Sequence, residues 1–171
     1  NMKKILTLIA TIILTFGVNA QTTNLGNPIG WNGKFEVKNI PVQSMLGFNQ
    51  SIVDAEDAVN DVRKDRPWRF GYKYNVNYTT QNSGFWTTLP NGSKVWQLAI
   101  ESKGAITINL LFENYDLPTG ASLYLYDIKQ TNKVGAYTER NNRADGELGT
   151  ELVHGDKIIV EYFEPADVVG Q

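Results

Sequence analysis

The stretch Pro90-Asn91-Gly92-Ser93-Lys94-Val95-Trp96-Gln97-Leu98-Ala99-Ile100-Glu101 decides how the fold is read. Asn-Gly at the centre of a turn is the strongest short-range hairpin signal. The run behind it alternates, with Val95 and Gln97 on one face and Trp96, Leu98 and Ile100 on the other. Successive strand side chains point to opposite faces, so this pattern predicts a strand. The apolar run at residues 85–89 (FWTTL) supplies the other arm of the hairpin.

The same grammar continues on both sides. Residues 70–78 (FGYKYNVNY) place Phe70, Tyr72, Tyr74, Val76 and Tyr78 on one face and predict a strand that breaks at Asn82-Ser83-Gly84. Residues 105–113 put Ile106, Ile108, Leu110 and Phe112 together, and Leu117-Pro118-Thr119-Gly120 turns. Residues 122–128 set Leu123, Leu125 and Asp127 opposite Tyr124, Tyr126 and Ile128. A short strand follows at 134–138, and a polar loop at 141–149. The last strand, 157–163, sets Ile158, Val160 and Tyr162 opposite Ile159 and Glu161. Strands at roughly ten-residue spacing with turn residues between them predict an all-β fold. We expect an antiparallel β-sandwich of jelly-roll type over residues 67–165, preceded by an extended arm and one short helix.

That helix is predicted over residues 51–64. Ser51 is the expected N-cap and Asp54 its capping-box partner. Ile52, Ala55, Val59 and Val62 form a thin apolar stripe, so the helix should lie on a surface, and Pro67 should stop it. Residues 21–66 are therefore expected to be arm plus helix, with a short alternating run at 34–38. At the N-terminus, Lys3 and Lys4 precede an uncharged apolar run, ILTLIATIILTFGV, and then Val18-Asn19-Ala20. That order predicts a secretory signal peptide over residues 1–20, the run being shorter than the ~20 residues a spanning helix needs. The mature protein is expected to be secreted, periplasmic or on the cell surface, with no membrane span after cleavage. Residues 166–171 are expected to begin a linker to a further domain.

Composition excludes much chemistry. The 171 residues contain no Cys and one His, which removes disulfides, thiolate nucleophiles and multi-histidine metal sites. A formal charge of -2 leaves no basic footprint for nucleic acid. His154 sits beside Gly155-Asp156 and reads as an exposed turn residue. There is no G-x-S-x-G elbow and no Asp-x-Asp-x-Asp calcium spacing, and Glu113, Asp116, Asp145 and Glu147 read as solvated loop carboxylates. We expect no catalytic residue, no metal and no cofactor. Trp86 and Trp96 read as core. Tyr72, Tyr74, Tyr124, Tyr126 and Tyr137 remain as candidate ligand-binding residues, because rings left exposed on a secreted β-sandwich are suited to stacking on sugars.

Ordered pieces across residues 65–165 carry a resemblance. They are Arg69-Phe70-Gly71, Asn82-Ser83-Gly84-Phe85-Trp86, Gly92-Ser93-Lys94-Val95-Trp96-Gln97-Leu98-Ala99-Ile100, Ser102-Lys103-Gly104-Ala105 and Leu117-Pro118-Thr119-Gly120-Ala121. Leu123-Tyr124-Leu125-Tyr126-Asp127, Gly135-Ala136-Tyr137-Thr138, Asn141-Asn142, Gly146-Glu147-Leu148-Gly149-Thr150, Gly155-Asp156 and Val160-Glu161-Tyr162-Phe163-Glu164-Pro165 complete them. Together they resemble the N-terminal, non-catalytic region of secreted lysyl-endopeptidase-like serine proteases of Bacteroidetes-type bacteria. The resemblance implies a pro- or accessory domain whose partner is the downstream trypsin-like domain of the same precursor. It implies assistance to that domain's folding, or its inhibition, with residues 39–50 as a candidate insert. None of the family's catalytic positions falls in this chain. The alternative is a secreted module that binds carbohydrate or a cell surface.

Overall fold

The computed structural model describes residues 26–32, 40–65 and 67–168. The expected signal peptide and the alternating run at 34–38 lie outside them. The fold is all-β and mostly antiparallel, with open sheets and, among the described residues, one α-helix.

The main sheet is built around β3 (Lys94–Glu101) and β10 (Lys157–Glu164), antiparallel over their whole length. Beyond β10 lie β6 (Ser122–Asp127) and β7 (Lys133–Tyr137). The other edge of β3 is shared. β2 (Phe85–Thr88) pairs with its first half, and β1 (Val42–Ser44) runs parallel to its last three residues. Two small ladders complete the fold: β4 (Thr107–Ile108) with β9 (Val153–His154), and β5 (Leu111–Phe112) with β8 (Leu148–Gly149). The pairs β3–β10, β4–β9, β5–β8 and β6–β7 are nested about the β6–β7 hairpin. Such nesting is a long two-stranded ribbon folded over on itself, the wrapping expected of a jelly-roll-like chain.

The β2–β3 hairpin turns where the sequence places it. Gly92 N–H donates to the Leu89 carbonyl at 2.9 Å, Leu89 N–H donates to the Ser93 carbonyl at 2.8 Å, and Gly92 has φ +86°. That left-handed conformation, costly for other residues, is the reason for glycine after Asn91. The core lies on one face of the sheet. Trp96, Leu98, Ile100, Leu123, Leu125, Ile158, Val160 and Tyr162 meet there with Tyr115, Val134, Tyr137, Leu148 and Val153. The expected core tryptophan Trp96 is buried and Trp86 packs against it.

Several expectations need correction. Residues 70–78 form no strand; they run extended, and no strand pairs with them among the described residues. The edge of β3 that would receive them is already filled by β2 and β1, and Asn75, Asn77 and Gly71 are poor strand formers. The expected strand at 105–113 is split into β4 and β5, each with its own partner. The loop expected at 141–149 ends in β8. The helix, α1, spans Gln50–Asn60. Its N-cap is Asn49, whose Oδ1 accepts from Ser51 N–H at 3.0 Å, so Ser51 lies inside the helix. It ends before Lys64 because Trp68 comes back to donate its indole N–H to the Asp61 carbonyl at 3.2 Å. The expected stripe of Ile52, Ala55, Val59 and Val62 is exposed, and Val53 is the one residue the helix buries, so it lies on the surface by a different face. Finally, the arm is no free insert: residues 42–44 are consumed in cis as β1.

Candidate functional site

On the core side of the sheet a cleft of about 2080 Å³ opens. One wall is the segment 70–81, which runs without a strand from the bend at Gly71 to the turn at Thr80 and Gln81. The other is the chain from Ser102 to Pro118, and Trp96, Leu98 and Tyr162 lie beneath. Its rim collects about half of the large apolar side chains that the described residues leave in water. Phe70 is 86% exposed and Ile106 82%, and Phe48, Tyr72, Val76, Leu111 and Leu152 are exposed beside them. Single exposed apolar residues need no explanation, but a set gathered around one concavity marks an interaction surface.

The extended wall is held at defined points. Arg69 bridges Glu56 at 2.7 Å and Asp57 at 3.1 Å on α1, which fixes the start of the segment. Tyr72 stacks on Phe48, centroids 4.4 Å apart and planes 4° from parallel. Tyr74 packs against Tyr72 and donates its hydroxyl to the Leu46 carbonyl at 2.6 Å. The side chains are thus presented without a backbone ladder among the described residues, and the Asn77 carbonyl accepts from Asn82 Nδ2 at 3.1 Å.

The five candidate tyrosines do not form one platform. Tyr72 and Tyr74 line the cleft. Tyr137 is buried in the core, where its hydroxyl accepts from Glu151 N–H at 3.0 Å. Tyr124 and Tyr126 are buried on the opposite face of the sheet. Burial raises the pKa of Tyr124, Tyr126 and Tyr137 above the ordinary value of 10.0, and the Glu161 charge pushes Tyr124 and Tyr126 further up. Rings with no free face cannot stack on a sugar, so these three are not available as a platform, and alternation misplaced Tyr124 and Tyr126. It treated one face as outer, whereas both faces of the central strands are covered.

That second face holds a group the sequence reading did not single out. Glu161 is 1% exposed in the middle of β10. Its Oε2 accepts from Tyr126 Oη at 2.7 Å and from Gln97 Nε2 at 2.8 Å. Gly30 N–H, from the short 3-10 turn Ile29–Asn32, reaches both carboxylate oxygens at 3.2 Å. The only available signal was a Glu in the middle of the apolar run 158–163 of the central strand.

Two of the candidate loop carboxylates have structural partners. Asp116 accepts from Asn142 Nδ2 at 2.7 Å, and Asp145 pairs with Arg143 at 2.8 Å. His154 is exposed at the end of β9. Asp127 holds the β6–β7 turn by accepting from Lys129, Thr131 and Asn132 backbone N–H groups and the Thr131 hydroxyl. Among the described residues no three His, Asp or Glu side chains gather as a metal-binding group. No helix among them is long and apolar enough to cross a membrane. No family model matches the chain, and no solved structure matches it.

Proposed function

We propose that this protein is a non-catalytic binding domain that acts as the N-terminal pro- or accessory domain of a secreted trypsin-like serine endopeptidase. The observation that carries the reading is the cleft with its ring of exposed apolar side chains, Phe48, Phe70, Tyr72 and Ile106 foremost. Aromatic side chains of this kind anchor protein interfaces, because they bury a large area with few rotors. The extended segment 70–78 adds a backbone with no strand partner among the described residues, which can join a sheet edge or a substrate groove. The ordered resemblance across residues 65–165 supplies the partner class. A domain that binds only the folded protease stabilises it by mass action, and one that covers the substrate groove inhibits it.

The test is to mix the purified mature chain with the endopeptidase domain of its own precursor and follow hydrolysis of a lysyl ester. Saturable inhibition, or faster recovery of activity when the protease refolds beside the chain, supports the reading. Weaker binding by a Phe70→Ala, Tyr72→Ala double variant places the contact at the cleft. No binding and no effect on refolding would sink it.

A second reading is a carbohydrate- or surface-binding module, favoured by the Phe48–Tyr72 stack, in which Tyr72 remains 45% exposed. Retention on a polysaccharide column that is lost in Tyr72→Ala would move this reading to first place.

A further inference from the structure

The sheet face opposite the cleft carries a site of a different kind. Its floor is the Glu161 carboxylate, set by Tyr126 and Gln97. Three donors crowd Oε2, while Oε1 accepts, among the described residues, from Gly30 N–H at 3.2 Å. The carboxylate therefore faces the covering segment and takes its backbone N–H across both oxygens. The rim is the reverse. Lys133 Nζ donates to the Gly26 carbonyl, and Gln130 Nε2 reaches the Gly30 carbonyl at 3.5 Å. A floor that accepts N–H and a rim that donates to C=O is complementary to a peptide backbone.

The site also selects side chains. A Cβ on residue 30 would lie 2.7 Å from Glu161 Oε2 and 2.9 Å from Tyr126 Oη, so any larger residue there must push these buried polar ends aside. The next residue, Trp31, packs edge-on against Tyr126 with centroids 5.8 Å apart. Among the described residues no strand pairs with this segment. Its own backbone bond is Trp31 N–H to the Pro28 carbonyl at 3.1 Å. The fit is incomplete as well, since Trp31 Nε1 is buried with no hydrogen-bond partner. A buried donor left unmatched weakens the hold of the present occupant.

We propose that the Gln97–Tyr126–Glu161 cradle is a peptide-recognition site for a glycine followed by an aromatic residue, occupied here by the chain's own Gly30–Trp31 turn. The N-terminal turn is an intramolecular ligand, and a second polypeptide carrying the same pair competes for its place. The site lies on the face away from the cleft and stands independently of the protease reading.

The test uses the full mature chain and a fluorescein-labelled heptapeptide, Gly-Asn-Pro-Ile-Gly-Trp-Asn, copying residues 26–32. A Gly30→Val variant unseats the internal turn and leaves the cradle intact. Fluorescence anisotropy should show saturable binding to that variant, and binding to the wild type weaker by about tenfold or more, because the tethered turn competes. A Gly→Val change in the peptide, or Glu161→Gln added to the variant, should abolish binding. A folded Gly30→Val chain that ignores the peptide overturns the proposal, as does equal binding by wild type and variant. Should Gly30→Val fail to fold, hydrogen exchange on the wild type decides. Exchange of the Gly30 amide faster than the β10 amides supports a turn that leaves its seat, and exchange only with global unfolding overturns it.

Discussion

Residues 70–78 (FGYKYNVNY) and β10 (KIIVEYFE) alternate equally well on paper, yet one is a central strand and the other is unpaired. β10 lies between β3 and β6 and forms ladders with both. Segment 70–78 meets a sheet whose nearest edge is already occupied by β1 and β2. The two also differ across the pleat. β10 offers Ile159 and Phe163 on its second face, whereas 70–78 offers Lys73, Asn75 and Asn77, which have no reason to leave water. Alternation states that a segment can be half buried; a vacant partner edge decides whether it is. The outcome is functional too, because an extended segment denied a ladder keeps its aromatic side chains for another molecule.

This contrast can be broken or sharpened by experiment. The largest effect belongs to β10. Ile158 is completely buried, and Ile158→Ala should cost about 2–5 kcal/mol in urea denaturation, through lost burial and the cavity left behind. A cost near that of a surface change would mean that β10 is not the spine of the core.

Next comes the end of β6, which β10 pairs with. Asp127→Asn should cost about 1–3 kcal/mol, since the carboxylate gathers three backbone N–H groups and the Thr131 hydroxyl. Burial works to raise the Asp127 pKa, but those hydrogen bonds together hold it below the ordinary 3.8. A depressed carboxylate binds its proton less readily in the folded state than in the unfolded one. Its contribution is therefore present above pH 3.8 and is lost as pH falls through the folded value. The wild type should lose more stability than Asp127→Asn across that acid range.

At alkaline pH the sign reverses. Burial, foremost, raises the pKa of Tyr162 on β10, and the nearby Glu164 charge raises it further. Stability from its neutral form is complete below pH 10 and falls as pH rises above it. Denaturation midpoints between pH 9 and pH 11 should drop, and by less in Tyr162→Phe.

The smallest effects lie in the extended segment. Tyr74→Phe removes one exposed hydrogen bond to the Leu46 carbonyl and should cost about 0.5–1 kcal/mol. Phe70→Ala should change stability by no more than about 0.5 kcal/mol while reducing partner binding. A large loss of stability from Phe70→Ala would show that the segment is a structural strand after all.

Much of the fold was legible in the chain. The Asn91-Gly92 hairpin, the alternation of β3, β6 and β10, and the surface position of α1 are local signals, and local sterics and burial enforce them. The boundaries were less so. Asn49 outcompeted Ser51 as the cap because its side chain reaches the Ser51 N–H, and the helix stopped early because Trp68 returns to Asp61. Those contacts depend on where the following chain runs. Of the candidate site, Tyr72 and Tyr74 were brought to one cleft, whereas Tyr124, Tyr126 and Tyr137 were buried.

The sequence by itself determined an all-β chain with one surface helix, no thiol chemistry and no multi-histidine site, because composition and side-chain period act over a few residues at a time. Only the tertiary structure decided which alternating segments found partners, that β1 fills part of the β3 edge, and that Glu161 lies sealed beneath Gly30. Those outcomes turn on competition for sheet edges and on contacts between residues up to 131 positions apart. No local pattern encodes who arrives first at an edge or what covers the second face of a sheet.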